Sequence, residues 1–149
     1  MPFSLRRATD EDAPTIAELY HYSYRLLTFL PKLHTIKSYR WYIAERMLKE
    51  WAVTVAEDDS GIVSFLGRRG EEVGHFYTRP DRIGCGAETQ LIEAAETSDV
   101  AALELWCFQA NTRALRFYEA RGFQAIRFTD GANNEERTPD VRYRWESPR

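Results

Sequence analysis

Gly84-Cys85-Gly86 is the stretch of the chain best suited to chemistry. It follows an alternating, strand-like segment and opens a segment with helical spacing. A helix start presents unpaired N–H groups and the positive end of the helix dipole. Glycines let that backbone approach an anion without a Cβ in the way. Together these features make a phosphate cradle. The loop lacks the Gly-Lys-Ser/Thr of a triphosphate-binding loop and the full six-residue dinucleotide fingerprint, so alone it also reads as a plain strand-to-helix turn. The two cysteines, Cys85 and Cys107, have neither metal-ligand spacing nor the pattern of a disulfide framework. No metal is expected.

The chain around this loop has 149 residues, enough for a single domain over 1–149. With 44% hydrophobic residues it can build a core, which excludes global disorder. Its 20 basic and 23 acidic residues leave a formal charge of -3, which argues against the broad basic footprint of a nucleic-acid binder. No apolar run approaches the ~18 residues of a membrane span. The start, Met1-Pro2-Phe3-Ser4-Leu5-Arg6-Arg7, has no apolar leader core. The expectation is a cytoplasmic protein that binds neither membrane nor nucleic acid.

The elements that must position the loop follow from local pattern. Phe3 to Ala8 alternates loosely and suits a first strand. Thr9-Asp10-Glu11-Asp12 is a capping-box pattern opening a helix with Ile16, Leu19, Tyr20 and Leu27 near one face, and Pro31 is expected to end it. A second helix is expected over Ser38 to Leu48. Trp51 to Val55, Ile62 to Leu66 and Val73 to Thr78 read as a three-strand meander, with turns at Asp58-Asp59-Ser60-Gly61 and Gly70-Glu71-Glu72. Then come the glycine loop and a helix carrying Ala87, Leu91, Ala94 and Ala95. Val100 to Phe108 is the most apolar strand. Asn111 to Arg121 reads as a helix stopped by Gly122. Gln124 to Phe128 and Val141 to Trp145 are the last strands. Alternation of strand and helix in the second half predicts an α/β (α+β type) fold: a mixed, mostly antiparallel sheet with a crossover helix joining parallel neighbours.

The run Asn111-Thr112-Arg113-Ala114-Leu115-Arg116-Phe117-Tyr118-Glu119-Ala120-Arg121-Gly122-Phe123 resembles motif B of the GNAT (GCN5-related) N-acetyltransferases. Phe76-Tyr77-Thr78-Arg79-Pro80 through Leu91 resembles motif A. The tail Thr129-Asp130-Gly131, with Asn134-Glu135-Glu136 and Pro139-Asp140, is similar to a bacterial subgroup of that family. Against the family's loop pattern both glycines are kept. Ile83 stands where the pattern has a polar residue, and Glu88 where it has a small one. A carboxylate turned toward the loop would repel a pyrophosphate and lower acyl-CoA affinity ~tenfold or more; turned outward it would matter little.

The resemblance implies a twisted sheet with helices on both faces, in which Val73–Thr78 and Leu103–Phe108 splay apart around the pantetheine arm of acetyl-CoA. Backbone groups of Phe76, Tyr77 and Thr78 would pair with that arm. Loop amides of Ile83, Gly84, Cys85, Gly86, Ala87 and Glu88 would hold the pyrophosphate, and Asn111 the pantetheine or nearby backbone. Tyr118 would protonate the departing thiolate. The chemistry suits a phenol of pKa ~10 facing a leaving group of pKa ~8.5. His75 is the first candidate for the base, since histidine titrates near neutrality; Glu72 and Glu104 are rivals, and burial would raise Glu104. Tyr24, His34 and Trp106 are candidate acceptor contacts, although Tyr20 and Tyr24, at i and i+4, read first as a packed helix face. The implied activity is transfer of acetyl from acetyl-CoA to a small-molecule or peptidyl amine. The alternative is a non-catalytic acyl-CoA-binding module or sensor. Such folds often pair as a homodimer through late strands.

Overall fold

A computed structural model describes residues 3–148; Met1, Pro2 and Arg149, the ends of the expected domain, lie outside the described residues. Seven strands form one mixed sheet: β1 (Ser4–Arg7), β2 (Ala52–Asp58), β3 (Gly61–Arg69), β4 (Glu72–Thr78), β5 (Ala102–Phe108), β6 (Gln124–Thr129) and β7 (Asp140–Glu146), in the order β1-β2-β3-β4-β5-β7-β6. Every neighbouring pair is antiparallel except β4 and β5, which run parallel. Helices cover both faces. On one, α1 (Ala13–Arg25), α2 (Ile36–Tyr42) and the turn that continues it bury Ile16, Ala17, Tyr39 and Ile43 against Val53, Val55 and Phe65. On the other, α4 (Ala87–Glu96) and α5 (Thr112–Ala120) bury Leu91, Ile92 and Tyr118 against Leu103, Leu105, Val141 and Tyr143. Between α2 and β2 the chain continues through a π-helical turn, Ile43–Met47, and a last turn α3, Leu48–Glu50. Among the described residues no helix is long and apolar enough to cross a membrane.

Two helix boundaries differ from expectation. The first helix ends at Arg25, well before Pro31. The Leu26 and Leu27 N–H groups close the last turn onto Ser23 O and Tyr24 O, and the chain then leaves to bury Leu30, so packing rather than proline sets the end. The second helix begins at Ile36 because Thr35 caps it, its Oγ1 accepting from the Ser38 N–H at 3.1 Å.

Strand β4 carries an extra residue. Arg68 pairs with Val73 and Gly67 with His75, which leaves Gly74 unpaired in a bulge. Val73 and Phe76 therefore reach the α4/α5 core, while His75 and Tyr77 turn toward Tyr20, Tyr42 and Trp51. The bulge requires glycine for space: a Cβ at Gly74 would lie 2.4 Å from the Trp51 ring. Gly74→Ala is expected to cost ~1–3 kcal/mol in denaturant unfolding through overpacking. Much of that loss is expected to return in the double variant with Trp51→Leu.

Candidate active site

β4 and β5 meet at a single rung, Glu72 opposite Glu104, with the Glu104 N–H donating to Glu71 O at 2.8 Å. Beyond it the strands part. The Arg79 N–H donates to Val63 O, which makes 79/63 a hydrogen-bonded pair of the β3–β4 ladder. Such pairs alternate along an antiparallel ladder, so Tyr77 directs its backbone at β3, whereas Phe76 and Thr78 direct theirs into the gap. This corrects the expectation for Tyr77, whose backbone is taken by the ladder and whose ring stacks on Tyr20 at 4.4 Å.

The gap is a cleft of about 320 Å³. It is lined by residues of β4 (among them His75, Phe76, Tyr77 and Thr78), of β5 (Leu105 to Phe108, with Trp106), by Asn111 just before α5, and by residues of α5 (among them Arg113, Phe117 and Tyr118). Ile83 and Glu88 close one side, and Ser23, Leu26 and Leu27, at and just past the end of α1, close another. Sequence reasoning missed Arg113 and the α1 residues. Gly84, Cys85 and Gly86 belong to the loop beside the cleft, and Ala87 to the first turn of α4, rather than to the cleft wall. Gly84 and Gly86 sit at φ +82° and +100°, a region that glycine enters without strain and that turns the chain into α4.

Glu88 points toward that loop. Its Oε1 accepts from the Gly84 N–H at 3.3 Å and from Arg113 Nη2 at 2.9 Å, and its Oε2 accepts from Arg113 Nη1 at 3.3 Å. The donor set of loop amide and guanidinium is an anion receptor, and the anion it holds is the chain's own carboxylate. Asn111 spends its side chain as the N-cap of α5, accepting from the Ala114 N–H at 3.3 Å.

Tyr118 is buried in the cleft wall among Phe76, Phe117, Phe123 and Tyr143. Burial pushes its phenol well above the usual value, so it stays protonated. Burial also drives Cys107, a free thiol on β5, up to about 12. His75 Nε2 lies 2.9 Å from the Tyr42 hydroxyl, its Nδ1 has no partner, and burial, with Arg69 second, lowers the imidazole to about 4. A group depressed from 6.5 to about 4 stabilises the fold fully above its unfolded value and loses that contribution as pH falls between the two. Unfolding free energy is expected to drop by up to ~3 kcal/mol between pH 7 and pH 4 on this account. His75→Phe is expected to flatten that part of a stability-versus-pH curve measured by denaturant titration.

The rival carboxylates are not free. Arg142 bridges Glu72 (2.5 and 2.9 Å) and Glu104 (2.9 Å), and Arg144 takes the other oxygen of Glu104 at 2.5 Å. Hydrogen bonds from Arg144 and then Arg142 hold Glu104 below the usual carboxylate value, the reverse of the rise expected from burial.

Tyr24 and His34 do not line the cleft. The Tyr24 hydroxyl donates to Glu136 Oε2 at 3.4 Å, and His34 Nε2 pairs with Glu135 Oε1 at 2.5 Å, so the two hold the β6–β7 loop against the end of α1 and the connection after it. That loop is braced from within by Asn134, whose Nδ2 donates to Thr138 O at 2.7 Å and to Asp140 Oδ2 at 3.1 Å. Trp106, 44% exposed, shares the cleft wall with a second cavity of about 690 Å³ between β5, β6 and this loop. Among the described residues no group of three or more His, Cys, Asp or Glu is placed to hold a metal.

The domain family described as "Acetyltransferase (GNAT) domain" matches residues 49–125. No curated protein matches. Among solved structures, apo YjaB from Escherichia coli is similar at 22% identity and a TM-score of 0.76, covering 99% of each chain. PaiA N-acetyltransferase from Thermoplasma acidophilum, in complex with coenzyme A, is similar at 19% identity and a TM-score of 0.77, covering 98% of this chain and 99% of that one. YncA from Salmonella typhimurium, with its cofactor acetyl-CoA, is similar at 16% identity and a TM-score of 0.73, covering 100% and 96%.

Proposed function

The chain belongs to the GNAT acetyltransferase family, and from that premise we propose that it acts as one domain to move an acetyl group from acetyl-CoA to a primary amine of a small molecule or peptide by direct attack. The observation that carries this reading is the parting of β4 and β5 after one rung, which leaves strand backbone of Phe76 and Thr78 unpaired beside a protonated phenol. When bound, acetyl-CoA supplies a thioester carbonyl open to the amine and a thiolate that leaves. Phe76 and Thr78 offer the backbone donors and acceptors that align an extended arm, and a preorganised N–H there stabilises a developing oxyanion by ~3 kcal/mol. Tyr118 holds a proton on its hydroxyl at the cleft wall and passes it to the leaving sulfur, and the ammonium formed by the attack gives up its proton through cleft water to restore the phenol. Ile83, Gly84, Cys85, Gly86 and Ala87 form the cradle at the α4 start, with Asn111 fixing the α5 start opposite.

His75 enters as a neutral hydrogen-bond partner of Tyr42 rather than as the base, because a base of pKa about 4 is poorly matched to a reaction near neutral pH. Trp106 is the acceptor contact, where the cleft and the second cavity meet. Tyr24 and His34 act through the loop they hold. A cytoplasmic setting and a homodimer through the open edge of β6, where Ile126 and Phe128 are exposed, belong to the same reading.

A second reading, a non-catalytic acyl-CoA sensor, is favoured by the Glu88 carboxylate in the cradle. Calorimetric titration with acetyl-CoA, followed by a panel of amines screened for thiol release, separates the two. Binding with release is the expected result. Binding without release across the panel selects the sensor, and absence of binding removes both.

A further inference from the structure

We propose that Glu88 is a competitor for the cradle that sets donor specificity, and that Arg113 is the cation it yields to the donor's pyrophosphate. The inference rests on the acetyl-CoA reading above. The receptor is complete without a ligand: one loop N–H and a two-pronged guanidinium converge on one carboxylate. A diphosphate seeking the same donors meets a negative charge already in place. The Glu88 side chain is 16% exposed and Arg113 is 51% exposed, so the arginine has the freedom to pivot while the glutamate is held in the cradle.

Binding of a diphosphate-bearing donor therefore requires Glu88 to leave the Gly84 N–H, and Arg113 to exchange one anion for another. Pantetheine uses the strand gap without reaching the cradle and meets no such obstacle. Ile83, 40% exposed where a polar side chain would add a donor, offers nothing to offset the conflict. Glu88 thus lowers the advantage that a nucleotide-bearing donor normally has over a bare pantetheine thioester.

The test is calorimetry with coenzyme A and with pantetheine on the wild-type chain, Glu88→Gln, Glu88→Ala and Arg113→Met. Both Glu88 variants are expected to tighten coenzyme A about tenfold while pantetheine affinity stays within about twofold. Arg113→Met is expected to weaken coenzyme A about tenfold and to leave pantetheine unchanged. If the Glu88 variants bind coenzyme A no better than wild type, or pantetheine shifts by the same factor, the proposal is overturned while the enzymatic reading stands. If the wild-type chain binds neither compound, the enzymatic reading itself falls.

Discussion

Tyr118→Phe is expected to lower kcat ~100-fold or more, the usual span for loss of a positioned acid, while acetyl-CoA affinity stays within about twofold. The reasoning is local. The ring packs among four other aromatic side chains, and phenylalanine keeps that packing. Only the hydroxyl is lost, so the unfolding transition is expected to move little. A departing thiolate without a proton source must leave as an anion into a wall built of Phe76, Phe117 and Leu105, where an unpaired charge is poorly solvated. The check is a kcat-against-KM split, with thiol release followed over a pH series. Unchanged turnover would remove Tyr118 from the chemistry.

The second large effect is expected at the point where the strands begin to part. Glu72 and Glu104 face each other at the β4–β5 rung, and two opposed carboxylates repel. Arg142, reaching from β7, bonds both, and Arg144 takes the remaining oxygen of Glu104. Arg142→Met leaves Glu72 without its cation and is expected to cost about 2–3 kcal/mol in denaturant unfolding. Adding Glu72→Gln is expected to restore much of that loss, because the repulsion goes with the charge. Simple additivity of the two substitutions would refute the coupling. The depressed Glu104 carboxyl gives the sign with pH: its contribution is present above its unfolded value and is lost as pH falls through the folded one.

Element order was legible because turn residues and alternation mark it locally. Asp58 to Gly61 turns β2 into β3, and Asn111 with Gly122 brackets α5. The bulge was passed over: a lone glycine inside a strand is a bulge signal, but Gly74 alone does not tell which face the residues after it take. In the site, the cleft positions of Phe76, Thr78, Asn111 and Tyr118 could be read from motif resemblance. The pairing of Glu88 with Arg113, of Tyr24 with Glu136 and of His34 with Glu135 could not, because these partners lie 25, 112 and 101 residues away. Such pairs exist only after the sheet has brought distant loops together. Glu104 failed for the same reason: on its own strand it shares a face with Trp106 and Phe108, but the groups that set its charge come from β7.

The bracing of the β6–β7 loop has a consequence for how acceptor choice can change. Glu135 and Glu136 are tied to His34 and Tyr24, so the rim that the proposed function assigns to the acceptor is a joint product of two excursions, the segment after α1 and the β6–β7 loop, that begin on opposite halves of the chain. Lengthening either excursion alone would strand its counterpart's polar groups. A shift to a bulkier acceptor therefore calls for paired remodelling of residues 26–35 and 130–139, and a library that randomises both segments together should yield new specificities more often than one that varies each in turn.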